Sequence, residues 1–257
     1  MKILVIIVSY KDEENLRECI GGLKPFGFDV YVHDNSFRNL GFAGGVNAAL
    51  RLASLAQGKL KYDWIWLLNP DCIVSVKGKL GEFKGIYGSD KGIGDVEYDI
   101  FSPVVYDTEG KIWFAGGKIN VFTGECEHIK ISNSKNSKER KGDRGWDTGW
   151  VSGCSMFIKP RVFENIGLFD EKFFLFYEDV DFCLRARQAG FRIGVVELDG
   201  LRMTHKVSPS VNKLSNKYEI EMKSKFYLLK KHRSYFYPTA HLISRIRYLK
   251  HKLVKGV

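Results

Sequence analysis

The sequence predicts an α/β fold with a single mixed, mainly parallel sheet flanked by helices. Three observations lead there. The runs Ile3-Leu4-Val5-Ile6-Ile7-Val8 and Trp64-Ile65-Trp66-Leu67-Leu68 are continuously apolar, as strands covered on both faces are. Helical stripes separate the early strands, a strand–helix alternation that predicts right-handed parallel crossovers. Each of these strands then ends in polar residues, and in such sheets ligands bind beyond the C-terminal strand ends.

In chain order, Asp12 is placed to cap a helix whose Leu16, Cys19, Ile20 and Leu23 share a stripe. Residues 28–32 form a second strand ending in His33-Asp34-Asn35-Ser36, and Asn39-Leu40-Gly41-Phe42-Ala43-Gly44-Gly45-Val46-Asn47 leads into the helical Ala48-Ala49-Leu50. The third strand stops at Asn69-Pro70-Asp71. Residues 73–98 are weakly patterned and read as a helix and a loop, and 101–105 as a strand. Residues 111–125 alternate around Gly116-Gly117 and Thr123-Gly124, which predicts one hairpin. From 127 to 148 the chain is too polar to pack, so a loop acting as a lid is expected. Strands follow at 150–159 and 191–197, with a short helix opening at Pro160 between them, and Met203-Thr204-His205 closes a body spanning 1–205.

Between those two strands lies the stretch Phe169-Asp170-Glu171-Lys172-Phe173-Phe174-Leu175-Phe176-Tyr177-Glu178-Asp179-Val180-Asp181, an aromatic loop running into three carboxylates that open a helix. Unpaired N–H groups favour ionised carboxylates there, and such a carboxylate beside aromatic walls suits a general base. A solvated, well-capped first turn explains the same residues equally well. Asp71, at a strand-ending turn, is placed to hold a hard divalent cation, with His205 as a second ligand or a structural histidine. Asp34 suits a nucleobase N–H with Tyr10 stacked on the ring, or an Asx turn after a strand.

The 257 residues carry a net charge of +10. From 206 to 257 there are 13 Lys or Arg against only Glu219 and Glu221, so the basicity belongs to a tail and the body is close to neutral. The tail contains two basic amphipathic helices, one with Tyr218, Met222, Phe226 and Leu229 and one with Leu242, Ile243, Ile246, Leu249 and Leu253, both suited to a membrane surface. The five scattered cysteines, without a CxxC pair, suit reduced thiols in a cytosolic protein, and no leader or membrane span is expected. The Gly41–Gly45 segment has neither the GxGxxG spacing of a nicotinamide-binding turn nor a Walker lysine. A nucleotidyltransferase signature is absent after the first strand, and no basic, aromatic face suits nucleic acid.

Six segments, in this order and spacing, resemble family 2 glycosyltransferases, inverting enzymes of the GT-A fold, and among them the rhamnosyltransferase-like and galactofuranosyltransferase-like group. They are Val8-Ser9-Tyr10, Val32-His33-Asp34-Asn35-Ser36, residues 39–47, Leu68-Asn69-Pro70-Asp71, Gly153-Cys154-Ser155-Met156, and residues 167–181. The resemblance covers 1–205 and implies a nucleotide diphosphate sugar donor, dTDP-rhamnose or a UDP-sugar, with Ser9, Tyr10, Asp34, Asn39, Gly41 and Asn47 around the nucleotide. Asp71 would occupy the last position of the DXD motif and bind Mg²⁺ or Mn²⁺ with His205; the motif here is Asn69-Pro70-Asp71, with one carboxylate. Asp179 would be the base with Glu178 beside it, and Trp150, Gly153 and Asp181 would face the acceptor. With the tail, this implies a lipid-linked glycan acceptor in bacterial cell-surface polysaccharide synthesis and a cytoplasmic enzyme on the inner face of the membrane; a homodimer is compatible with it. The alternative is a catalytically silent nucleotide-sugar or glycan-binding relative.

Overall fold

A computed structural model describes residues 1–57, 61–76, 93, 96–130, 145–198, 201–206 and 216–255. The chain runs β1 (Ile3–Ser9), α1 (Glu13–Leu23), β2 (Asp29–Asp34), α2 (Gly41–Gln57), β3 (Trp64–Leu68), β4 (Cys72–Val76), β5 (Ile100–Pro103), β6 (Val105–Tyr106), β7 (Ile112–Phe114), β8 (Gly117–Asn120), β9 (Glu125–His128), β10 (Gly145–Asp147), β11 (Ser155–Ile158), α3 (Pro160–Ile166), α4 (Glu178–Gln188), β12 (Ile193–Val196), β13 (Leu201–His205), α5 (Lys217–Lys231) and α6 (Pro238–Lys255).

Seven strands form the central sheet in the order β10-β12-β5-β11-β3-β1-β2. β1 runs parallel to both β2 and β3, whereas β11 is antiparallel to β3 and β5. The sheet is therefore mixed and mainly parallel, as the strand–helix alternation predicts. Every residue of β3 is buried. Its aromatic side chains continue across the sheet: Trp66 stacks on Phe157 at 4.6 Å, and Phe157 on Phe101 at 4.6 Å. The buried Trp66 indole N–H donates to Ser155 Oγ at 3.0 Å, so the stack leaves no polar group unmet there.

Two registers position the site. Ser9 pairs with Asp34 and Ile7 with Leu68, which brings the C-terminal ends of β1, β2 and β3 to one edge. In the second sheet, ordered β4-β13-β6-β7, Cys72 pairs with His205. The imidazole thus arrives beside Asp71 although 134 residues of sequence separate them; the pairing is antiparallel and closes β13 onto the strand that follows Asp71.

Several sequence expectations are corrected. Residues 111–125 are not one hairpin: β7 pairs back to β6, and β8 pairs with β9. The turn at Gly110 permits the first, with φ +81. Residues 72–76 form a strand, not the start of a helix, because they alternate against β13; most of 77–95 lies outside the described residues. The expected loop at 127–148 begins and ends in strands β9 and β10, and its centre, with the lid, lies outside the described residues. β11 starts at Ser155, later than expected, and Trp150 makes only a single bridge to Gly117.

The basic tail is also not one uniform surface element. α5 packs into the body: Met222, Leu228 and Leu229 are buried, and Ser224 Oγ donates to the Leu175 carbonyl at 2.8 Å. Lys225 is buried as well, its Nζ 4.0 Å from Glu125 Oε1. α6 folds back along α5, with the Tyr218 and His251 ring centroids 3.7 Å apart, and seats its first turns on the β8–β9 turn through Thr239 Oγ1, which donates to the Phe122 carbonyl.

Candidate functional site

At the strand edge, Asp34 is exposed and accepts the Ser36 N–H at 2.8 Å, forming the Asx turn. Hydrogen bonds from Ser36 hold its carboxyl below the usual carboxylate range. Tyr10 is exposed beside it. Ser9 is buried, and its carbonyl accepts the Asn35 N–H at 2.8 Å. Asn35 pins the following loop, donating its side-chain amide to the Gly41 carbonyl and accepting the Leu40 N–H. Asn39 Oδ1 accepts the Gly41 N–H at 2.9 Å, capping α2.

Two residues expected at the nucleotide serve the packing of the aromatic loop. Asn47 is buried; its side-chain amide donates to the Phe169 carbonyl at 2.8 Å and to Glu171 at 2.9 Å, while its Oδ1 accepts the Phe169 N–H. All its polar atoms are used inside the protein. Gly41 sits at φ +72, and a Cβ there would lie 2.1 Å from the Phe174 carbonyl oxygen. The Phe42 N–H donates to that same oxygen at 3.0 Å. Glycine is required because the loop passes directly over the helix start.

A cavity of about 380 Å³ lies beyond β3. Asp71 and His205 line it together with Glu178, Asp179, Trp150 and Gly153. Trp113 and His128, on strands of the 112–128 region, complete an aromatic wall, and α5 contributes Lys217 and Glu221. None of these four was singled out in the sequence: the two strands carried no chemical motif, and α5 read as part of a detached tail.

His205 Nε2 lies 3.2 Å from Asp71 Oδ1. Ligand atoms of Asp71, Cys72 and His205 all lie within 4.8 Å of one another. His205 Nδ1 is buried and has no hydrogen-bond partner among the described residues, while Trp113 packs edge-on with its ring centroid 4.2 Å away. Burial pulls the His205 imidazolium down, but the hydrogen bond to Asp71, together with the charges of Cys154 and Asp71, more than offsets it and the group sits above its ordinary value. A carboxylate, an imidazole and a neighbouring thiol form a donor set that fits a divalent first-row cation.

Phe176 and Tyr177 both have left-handed backbones, φ 68 and 66, which cost about 1–3 kcal/mol each in non-glycine residues. This turn directs the start of α4 into the cavity. Asp179 Oδ2 accepts the Gly153 N–H at 3.0 Å, and Oδ1 accepts the Val180 N–H at 2.8 Å. Burial raises its pKa while these two N–H donors act against the rise. Glu178 is 6% exposed, and its Oε2 has no hydrogen-bond partner among the described residues. Burial, then the adjacent Asp179, push Glu178 well above the ordinary range. With donors on Asp179 and none on Glu178 Oε2, Asp179 ionises first and Glu178 keeps its proton.

A stability test follows. Because folded Glu178 binds its proton more tightly than unfolded Glu178, it lowers stability progressively as pH rises from about 4.3 through its raised folded value. Glu178→Gln is expected to melt higher than the wild type at neutral pH and equally near pH 4, each tenfold change in proton affinity being worth about 1.4 kcal/mol. Melting curves across that range check it; a gap that widens towards acid would reverse the assignment.

Asp181, expected at the acceptor, is fully buried and outside the cavity. It accepts from Arg185 Nε at 2.9 Å, lies 2.8 Å from Lys231 Nζ, and pairs with His232 Nε2 at 2.8 Å. It is only two residues from Asp179 on α4, yet it faces inward, where Lys231 of α5 and the adjoining His232 meet it.

No protein-family profile matches the chain. It is 26% identical over 219 residues to the low-salt glycan biosynthesis hexosyltransferase Agl10 of Haloferax volcanii, covering 74% of this chain and 63% of that protein. It is 23% identical over 165 residues to the N-acetylglucosaminyl-diphospho-decaprenol L-rhamnosyltransferase of Mycobacterium tuberculosis, covering 60% of this chain and 52% of that one. The chain thus spans between half and two thirds of the length of these relatives. In fold it is similar to GalNAc-T7, crystallised with UDP, GalNAc and Mn²⁺, with a TM-score of 0.56 at 12% identity over 90% of this chain and 48% of that one.

Proposed function

We propose that this chain, a glycosyltransferase of the family 2-like rhamnosyltransferase type, transfers a sugar from a nucleotide diphosphate donor, dTDP-rhamnose or a UDP-sugar, to a hydroxyl of a lipid-linked glycan and inverts the anomeric centre. One observation carries the reading: the backbone-anchored Asp179 carboxylate and the Asp71–His205 pair open on the same cavity. Asp179 takes the proton of the acceptor hydroxyl. The freed oxygen pair bonds to the anomeric carbon from the face opposite the nucleotide, and the bond to the diphosphate oxygen breaks with its electrons leaving on the nucleotide diphosphate. One displacement gives inversion.

Asp34 and Tyr10, exposed at the strand edge, would meet the base of the nucleotide. Asp71 and His205 would hold Mg²⁺ or Mn²⁺, which supplies positive charge against the leaving diphosphate. Trp113 and Trp150 offer flat faces to sugar C–H groups. Burial lowers the pKa of His128, which makes it a neutral hydrogen-bonding group for acceptor hydroxyls. With a lipid-linked acceptor and a basic C-terminal region, the enzyme would work at the inner face of a cell membrane, in cell-surface polysaccharide synthesis.

Thermal unfolding with dTDP-rhamnose, UDP-galactofuranose, UDP-glucose and UDP-GlcNAc, with and without Mn²⁺, tests the donor class. One donor is expected to stabilise the fold by about 2.7 kcal/mol at a hundred times its Kd, and to release nucleotide diphosphate when a glycan acceptor is added. Protection by none of them, with no release, would overturn the reading; protection without release from any acceptor would make the chain a silent binder.

A further inference from the structure

α6 has two unlike faces. Ala240 and Ser244 are buried against the body, and Tyr248 packs edge-on to Phe226 of α5. On the other side stand Leu242, Ile246, Leu249 and Leu253, exposed by 60, 45, 59 and 82%. Their spacing of four, three and four residues makes one continuous stripe. A single exposed leucine needs no explanation, but a stripe of four does.

The charges around the stripe are of one sign. Between Pro238 and Lys255 there is no Asp or Glu; Arg245, Lys250 and Lys252 flank the apolar residues, while Arg247 is turned to the body and ion-paired with Glu125. Near the start of the helix, Phe122 and Tyr237 stack at 4.4 Å and are 54% and 53% exposed, an aromatic pair of the type that sits at lipid headgroup level. A second copy of α6 would set like charges against each other. Nucleic acid would leave the leucines in water.

We propose that α6 alone lies in the plane of an anionic bilayer, its leucine stripe at the acyl boundary and its cations among the headgroups, and so holds the cavity mouth at the membrane surface. The second clause rests on the lipid-linked acceptor proposed above and on the helix pairing. Lys217 and Glu221, in the first turns of α5, line the cavity. Between them Tyr218 packs on His251, and its hydroxyl donates to the Arg247 carbonyl at 3.5 Å. The cavity wall is therefore one helix away from Leu249 and Leu253. The two helices expected to share the membrane divide the work: α5 builds the site and α6 docks it.

Flotation of the full chain with vesicles of phosphatidylcholine, with and without phosphatidylglycerol, tests this. Flotation is expected with the anionic vesicles and is expected to weaken with salt. Leu249→Glu combined with Leu253→Glu is expected to lower partitioning on the order of a hundredfold, with unchanged circular dichroism because both side chains are exposed. Arg245→Gln with Lys250→Gln and Lys252→Gln is expected to remove the preference for phosphatidylglycerol. Transfer to a soluble acceptor glycoside is expected to survive the leucine changes, while transfer to the same glycan on a vesicle-borne lipid falls. Flotation of the double glutamate variant equal to wild type, or a wild-type dimer that the variant dissolves without any vesicle binding, would overturn the proposal. Absence of donor binding would remove the transferase reading and leave the flotation result to stand by itself.

Discussion

Asp179→Asn is expected to reduce sugar transfer by about 10² to 10⁴, the range that a positioned general base supplies, while donor protection in thermal unfolding stays near wild type. The substitution keeps the shape of the side chain. It removes the lone pair that accepts the hydroxyl proton, and its amide N–H₂ then faces either the Gly153 or the Val180 N–H, both of which donate to the carboxylate in the native protein. A small loss of melting temperature is therefore expected beside the large loss of rate. In the wild type, burial lifts the Asp179 pKa above that of an ordinary aspartate. The base must be ionised to work, so turnover should rise with pH through that lifted value, and the acid limb should lie above about pH 3.9. The limb is expected to vanish from whatever residual rate Asp179→Asn retains. Unimpaired transfer by that variant would remove Asp179 from the reaction.

The sequence made much of this visible, and the reasons differ by residue. β1 and β3 were legible because buried parallel strands need uninterrupted apolar runs, and α4 because acids gather at its first turn and Arg185 and Arg187 at its last. The strand-end positions of Asp34 and Asp71 followed from the strand–helix alternation. Other features depend on long-range pairing, which leaves no local trace. The approach of His205 to Asp71 comes from the β4–β13 register. The entry of Lys217 and Glu221 into the cavity comes from the docking of α5, whose basic amphipathic pattern suits a membrane surface as well as it suits the packing of Met222, Leu228 and Leu229 against the body. The contacts of Asn47 with Phe169 and Glu171 left no trace either, because residues 122 and 124 positions further along the chain supply them. For Asp181 a local signal did exist: Arg185 lies one turn further along the same helix, the spacing of an ion pair.

That ion pair leads to the largest stability effect expected in the chain. Asp181→Asn should cost about 3 kcal/mol, and Asp181→Ala towards about 5, because removing one partner of a buried pair strands the others. The partners are unequal. Arg185 keeps its bonds to the Ile166 and Leu168 carbonyls, and Lys231 keeps Asp170 at 2.7 Å, but the buried His232 ring loses the partner it has among the described residues. At about 2–4 °C per kcal/mol for a chain of this size, the asparagine variant should melt roughly 6–12 °C lower. Burial would raise the Asp181 pKa, yet His232, Lys231 and Arg185 depress it below the ordinary value. Its stabilisation is thus present above the unfolded value of about 3.9 and is lost as pH falls through the depressed folded value, so the gap between variant and wild type should close only in strong acid. Adding His232→Phe to Asp181→Asn should recover part of the loss by removing the ring left without its partner, whereas the same change in the wild type should destabilise. Since these contacts tie α5 to the helix that carries Asp179, the single variant should also lower turnover, and the double variant should restore stability further than rate. A melting temperature for Asp181→Asn within a degree of wild type would mean that the cations are satisfied without it and that α5 is held by its apolar face alone.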